Sequence, residues 1–352
     1  MTLTMNFKGG SKNSWQPVMG ADTTTTSYWL NWRVLLCCVW ILTAMGVASY
    51  LITKYERPFN GKSRNRSDYD DEDDDDDEYD GGVLYDDEVW KPCLKGIHPA
   101  WLMTYRIFAF VVLLILITLN AVVDGGSIFY YYTQWTFTLI TIYFGIGSLL
   151  SIYGCCQNHN KVGGDRSEEQ DEEQQAAGAE ITNLPNAAKY VGPIDRTRPR
   201  QAAGFWGYVF QIMFQMQAGA VVLTDLVFWF IIVPFLAIKD YNMNFFIINM
   251  HSVNAVFLLG DTALNSLRFP WFRIAYFVLW TCVFVVFQWV VHACIALWWP
   301  YPFLDLASSF SPLWYLAVAL LHVPCYGIFV LVIKLKHFLL LKWFPDSTRY
   351  VL

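Results

Sequence analysis

The chain has 352 residues, of which 55% are hydrophobic and 18% aromatic, while only 15% are charged. A soluble domain carries about 25% charged residues and 45–50% apolar ones, so this balance excludes an ordinary soluble fold and points to a membrane. The net charge of −6 comes largely from one acidic run, so it implies no nucleic-acid partner.

Residues 1–33 are a polar tail, ending in Thr23 to Thr26 and two flanking tryptophans, without the apolar core of a cleavable signal peptide. Val34 to Thr53 is apolar over 20 residues, the length of a first transmembrane helix. Residues 54–100 form a loop that opens basic and turns acidic from Asp68 to Glu88. Such a block repels itself, so disorder is expected over about Gly61 to Val89, with a basic protein partner as its alternative use. Within 101–156, the second and third spans run from Trp101 to Val123 and from Tyr131 to Tyr153, joined at Asp124-Gly125-Gly126. Residues 157–204 are a second polar loop, rich in Glu, Gln and Ala, also expected to be disordered.

Residues 205–341 hold spans four to seven: Ala218 to Ile238, Asn244 to Leu267, Trp271 to Trp298 and Leu313 to Leu335. Phe205 to Gln217, studded with glutamines, reads either as an interfacial segment or as the start of one long fourth helix. Residues 342–352 are a short tail. The whole predicts an all-α integral membrane protein, a bundle of about seven transmembrane helices with disordered acidic loops. The eight cysteines lie mostly inside apolar spans, where a thiol acts as a small hydrophobe, and Cys155-Cys156 could carry a palmitoyl group. No spacing suggests a metal, and no phosphate loop or nucleotide motif suggests a cofactor.

Four of the 24 Lys and Arg (Lys8, Lys12, Arg33 and Lys239) fall on the N-terminal side of a seven-span topology, and the other 20 fall on the opposite side. The positive-inside rule then makes the N-terminus exoplasmic or lumenal and both acidic loops cytosolic, in a plasma membrane or an endoplasmic reticulum membrane.

Ionisable groups inside apolar spans are costly and mark functional sites by default. In this topology Thr136, His251 and His292 come to similar depths on one leaflet. At 100° per residue His251, Asn254, Asp261, Thr262 and Asn265 form one stripe down the fifth helix. The plain alternative is that these groups hydrogen-bond between helices and hold the bundle together. Asp225, in the fourth span, is a competing functional carboxylate.

Three short pieces carry a resemblance to a known family. They are Gln134-Trp135-Thr136-Phe137, Asn249-Met250-His251-Ser252, and Trp289-Val290-Val291-His292 followed by Trp299-Pro300-Tyr301-Pro302-Phe303-Leu304. From about Trp101 to Leu341 the chain resembles the androgen-induced family of multi-pass membrane hydrolases, with rolling stone proteins as more distant relatives. It differs by an extra N-terminal span, by its longer loop after span three, and by Trp135 where leucine is usual. The resemblance implies hydrolysis of fatty acid esters of hydroxy fatty acids, with Thr136 as nucleophile and His251 as its histidine. Imidazole has the right pKa to take a hydroxyl proton near neutrality. Asn254 and Gln134 are then candidates to stabilise the oxyanion, and His292 is a supporting group. The partners expected are membrane lipids and a lipid ester substrate. The competing readings are a transporter or channel lined by the fifth-helix stripe, and a non-enzymatic scaffold.

The topology is tested with a cysteine at Asp75 and an impermeant maleimide on intact cells. Labelling is expected only after permeabilisation, and labelling from outside would overturn the orientation.

Overall fold

The computed structural model describes residues 21–56, 84–178, 201–236 and 245–349, with backbone alone at 160–178, 235–236 and 246. The middle of the first acidic loop, and the second loop from 179 to 200, lie outside these residues.

Six helices among the described residues are long and apolar enough to cross a bilayer. In chain order the helices are α1 (Trp32–Tyr55), α2 (Pro99–Asp124), α3 (Tyr132–Gly178), α4 (Phe205–Leu226), α5 (Phe245–Met250), α6 (Val253–Leu264), α7 (Ile274–Cys294) and α8 (Ser311–Trp343). Local chemistry sets their ends. Asn31 caps α1 by accepting from the Arg33 and Val34 amides at 2.9 and 3.1 Å. Pro99 opens α2 at a position where its missing N–H costs nothing, and Gly125, at a φ of 77°, closes it.

The fifth predicted span is present as the broken pair α5–α6, interrupted at His251-Ser252. It still returns the chain across the bundle. Residues 21–31 and the start of α1 meet the loop after α7, through Tyr28 to Asp305 and Arg33 to Ala307. At the other end, Glu56 after α1 meets Arg273 before α7. α4 ends on the side of the N-terminal segment and α7 begins opposite, so α5–α6 makes the fifth crossing, between them.

One boundary left open by the sequence is resolved, and two others differ from expectation. Phe205 to Leu226 is one helix, continued in π-helical turns over Val227–Leu236, so residues 205–217 belong to the fourth span. α3 runs on to Gly178, because Glu, Gln and Ala favour helix and no proline intervenes. The end of the first loop is folded rather than disordered: Leu84, Val89 and Trp90 are buried, Cys93 N–H donates to Leu264 C=O at 2.8 Å, and Glu88 pairs with Arg268 at 3.1 Å. Apolar residues at the end of an acidic run gave this segment something to bury.

α4 is the hub of the bundle, packing on α3, α7 and α8 and touching α6. Gly219 allows the α4–α7 approach, since a Cβ there would strike the Phe277 ring. Phe214 and Val221 of α4 join a core with α2, α3 and α6, while Ala220 and Leu223 join another with α1, α7 and α8.

A buried ion pair anchors the broken helix. Arg106 of α2 and Asp261 of α6 are both 0% exposed, with Nε and Oδ1 2.8 Å apart. Arg106 also donates to Val89 C=O at 2.8 Å and to Ser151 Oγ at 2.9 Å. Tyr143 O–H and Asn265 Nδ2 donate to the other carboxylate oxygen of Asp261. The Phe210 ring covers the guanidinium at 4.7 Å and stacks on Tyr143 at 4.5 Å. Gly147 leaves room for it, since a Cβ there would strike Phe210 at 2.7 Å.

Breaking such a pair strands a buried charge. Arg106→Met should therefore cost about 3–5 kcal/mol, read as loss of thermal stability in detergent. Arg106→Met combined with Asp261→Leu should cost clearly less; equal losses would mean that charge pairing is not what the cluster contributes.

Candidate functional site

The chain leaves α4 through π-helical turns that contain Pro234, and it re-enters through the short α5. Widened turns and broken helices in a membrane occur where protein or a cavity surrounds them. Here they bring His251, at the break, against Asp225 near the end of α4. His251 Nδ1 lies 3.7 Å from Asp225 Oδ1 and makes no hydrogen bond. The imidazole stacks flat on Phe228 at 3.7 Å, and Trp229 donates to the His251 carbonyl at 2.9 Å. Asn254 Nδ2 approaches the same Asp225 oxygen at 3.4 Å. The carboxylate therefore faces His251 from α4 and Asn254 from α6.

His251 lines a cavity of about 70 Å³ between α3, α4, α7 and α8. Tyr132, Thr133, Thr224 and Thr281 share its lining with Leu223, Phe284, Val285 and Leu304, and the wall is mainly apolar. Tyr301 closes one side: its hydroxyl accepts from the Tyr132 amide at 3.1 Å and meets Thr133. Burial pushes the Tyr301 phenol up, so it stays protonated. A second cavity, of about 60 Å³, adjoins the first and is lined by Trp40, Ile41, Thr281, Trp314, Val318 and His322.

The residues singled out in the sequence take different places in the bundle. His251 is on the cavity wall. Thr136 is fully buried just behind it, its hydroxyl 3.5 Å from that of Thr224 and beside that of Tyr132. Asn254 is engaged with Asp225, and Gln134 Nε2 donates to Met250 Sδ. His292 lies apart, stacked on Trp299 at 3.7 Å, with its ring nitrogens 2.7 and 3.3 Å from the Gln288 and Trp298 carbonyls. It belongs to a cap in which Trp299 donates to Tyr28, and Tyr28 to Asp305 at 2.8 Å. Burial, then Asp305, pushes the Tyr28 phenol up and keeps it a donor. Trp135 packs edge-on or tilted against Trp280, Phe284 and Phe287 of α7.

The stripe on the fifth span divides at the helix break. Asp261 and Asn265 serve the Arg106 cluster, Lys336 donates to the Asn265 carbonyl at 2.7 Å, and Thr262 bonds back to Leu258 at 2.7 Å. Those groups hold helices together. No group of three or more His, Cys, Asp or Glu that could hold a metal ion occurs among the described residues. No family model matches the chain, and neither a curated protein nor a solved structure matches it.

Sequence reasoning overlooked Arg106, although a charge six residues into the apolar run from Trp101 is a visible signal. It also did not join Asp225 to His251. They are 26 positions apart, and only the π-helical exit from α4 and the break after α5 make them neighbours.

Proposed function

We propose that this chain is an intramembrane hydrolase of lipid esters, acting on fatty acid esters of hydroxy fatty acids or similar molecules. One observation carries the reading: a buried imidazole beside a carboxylate, at a helix break, on the wall of a mainly apolar cavity whose lining includes Tyr132, Thr133, Thr224 and Thr281. An imidazole in that place can take a proton from a hydroxyl or a water, and Asp225 stabilises the cation that forms. The apolar wall suits the hydrocarbon of a lipid, and the hydroxyls supply nucleophiles and donors for an ester carbonyl. Resemblance to the androgen-induced family supports the same reading, with His251 as its histidine and Thr136 as its nucleophile.

A conduit would need free polar groups through the whole depth of the bundle. The polar groups below the break, Asp261 and Asn265, are engaged by Arg106, Tyr143 and Lys336 instead. The substrate then enters from the bilayer rather than from water, with membrane lipids as the surrounding partner.

The test is fatty acid release from such an ester by the purified protein in vesicles. His251→Ala should lower kcat by roughly 10²–10⁴, the usual contribution of a positioned base. Asp225→Asn keeps the shape but removes the charge, and should lower it by a smaller factor. Turnover of His251→Ala at the wild-type rate would contradict the reading.

A further inference from the structure

Thr281 of α7 hydrogen-bonds an imidazole directly. Its Oγ1 is 2.8 Å from His322 Nε2. His322 Nδ1 is 2.8 Å from the Val318 carbonyl, which can only accept. In the neutral ring Nδ1 therefore carries the proton and Nε2 is the bare acceptor. The Thr281 hydroxyl donates to that nitrogen. It has a second neighbour, the Tyr132 hydroxyl at 2.9 Å, which must then donate to Thr281. The bond that a helical threonine commonly makes to its own backbone is here the longer one, 3.3 Å to Phe277 C=O. The Phe277 ring, 4.4 Å from the imidazole, holds it in place.

Thr281 lines both cavities, so it stands where the two adjoin. His322 lines one, and His251 lines the other. The cavity on the His322 side includes Trp314, which is 48% exposed on the outer surface of the bundle, between α1 and α8. Each cavity, at about 60 and 70 Å³, exceeds the roughly 10–15 Å³ that one water needs, which leaves room for an ester group. Longer chains must leave between helices into the bilayer.

We propose that Thr281 is the nucleophile, with His322 as the base of the acylation half and His251 as the base of the water step. This rests on the hydrolase reading above, with Thr281 in place of the Thr136 that the family resemblance implies as nucleophile. In the first half His322 Nε2 takes the Thr281 proton, Oγ1 bonds to the ester carbonyl carbon, and the carbon–alkoxide bond breaks. The alkoxide leaves with the proton from His322. In the second half His251 takes a proton from water, the water oxygen bonds to the acyl carbon, and the bond to Oγ1 breaks. The proton returns to Oγ1 and the free acid departs. The substrate class is an ester with hydrocarbon on both sides, since both cavities flanking Thr281 are walled mainly by apolar side chains.

The test uses the full chain in lipid nanodiscs and a fluorophosphonate with a long alkyl chain. Oγ1 would displace fluoride from phosphorus, leaving a stable adduct that peptide mass spectrometry can locate. Wild type and Thr281→Ser should carry the adduct at position 281, and His322→Gln should lose it by about 100-fold. With an ester substrate, His251→Ala should accumulate an acyl group on Thr281, which a structural role for Thr281 would not produce. An adduct on Thr136 with Thr281 unmodified would overturn this assignment and leave the hydrolase reading standing. So would full ester hydrolysis by Thr281→Val. Absence of both adduct and ester hydrolysis in the wild type would overturn the assignment and the hydrolase reading together.

Discussion

The ion pair between Arg106 and Asp261 is the constraint on which the rest of the bundle depends. Two full charges sit at 0% exposure between α2 and α6. Taking them out of water costs several kcal/mol per ion, and close geometry with further hydrogen bonds must offset that. Val89, Ser151, Tyr143 and Asn265 supply those bonds. The cluster therefore ties together the second, third and fifth crossings and the folded end of the first loop. It gives α6, a helix of only 12 residues, a fixed position despite the break that precedes it.

That fixed position is what a break in a transmembrane helix requires. With α6 held from below, α5 can diverge at His251-Ser252 without losing its place in the bundle. α4 meets it from the other side, where π-helical turns begin directly after Leu226. Both irregularities fall beside the same cavity. An unbroken fifth helix facing a regular fourth would have no such reason to leave space there. The division of labour is spatial: the Arg106–Asp261 pair holds the fold beyond the break, and His251, beside Asp225, faces a cavity.

Much of the architecture was legible because apolar length and turn chemistry are local. Trp101 to Val123 and Leu313 to Leu335 read as spans from composition, and Gly125 marked its turn. The break at His251 was not legible, since Asn244 to Leu267 is apolar enough to pass for one helix. Its cause lies in tertiary contacts with α4 and in the anchorage of Asp261. The folded Leu84–Trp90 segment was hidden by the acidic run before it, which dominates the composition of that loop. Within the candidate site, His251 was found because a titratable ring in an apolar run is conspicuous. Thr281 and His322 were not, because each looks like an isolated polar residue on its own helix. They are 41 positions apart, and the α7–α8 packing makes them one pair.

The chemistry proposed for this chain is ester hydrolysis carried out below the membrane surface, with water as the final acyl acceptor. The most direct measurement is the fate of the solvent oxygen. Purified protein in vesicles would be given a fatty acid ester of a hydroxy fatty acid in ¹⁸O-labelled water. The released fatty acid should carry one labelled carboxyl oxygen, the hydroxy acid should keep its hydroxyl oxygen unlabelled, and empty vesicles should release neither. No release above empty vesicles, or label in the alcohol oxygen, would contradict hydrolysis at the acyl carbon.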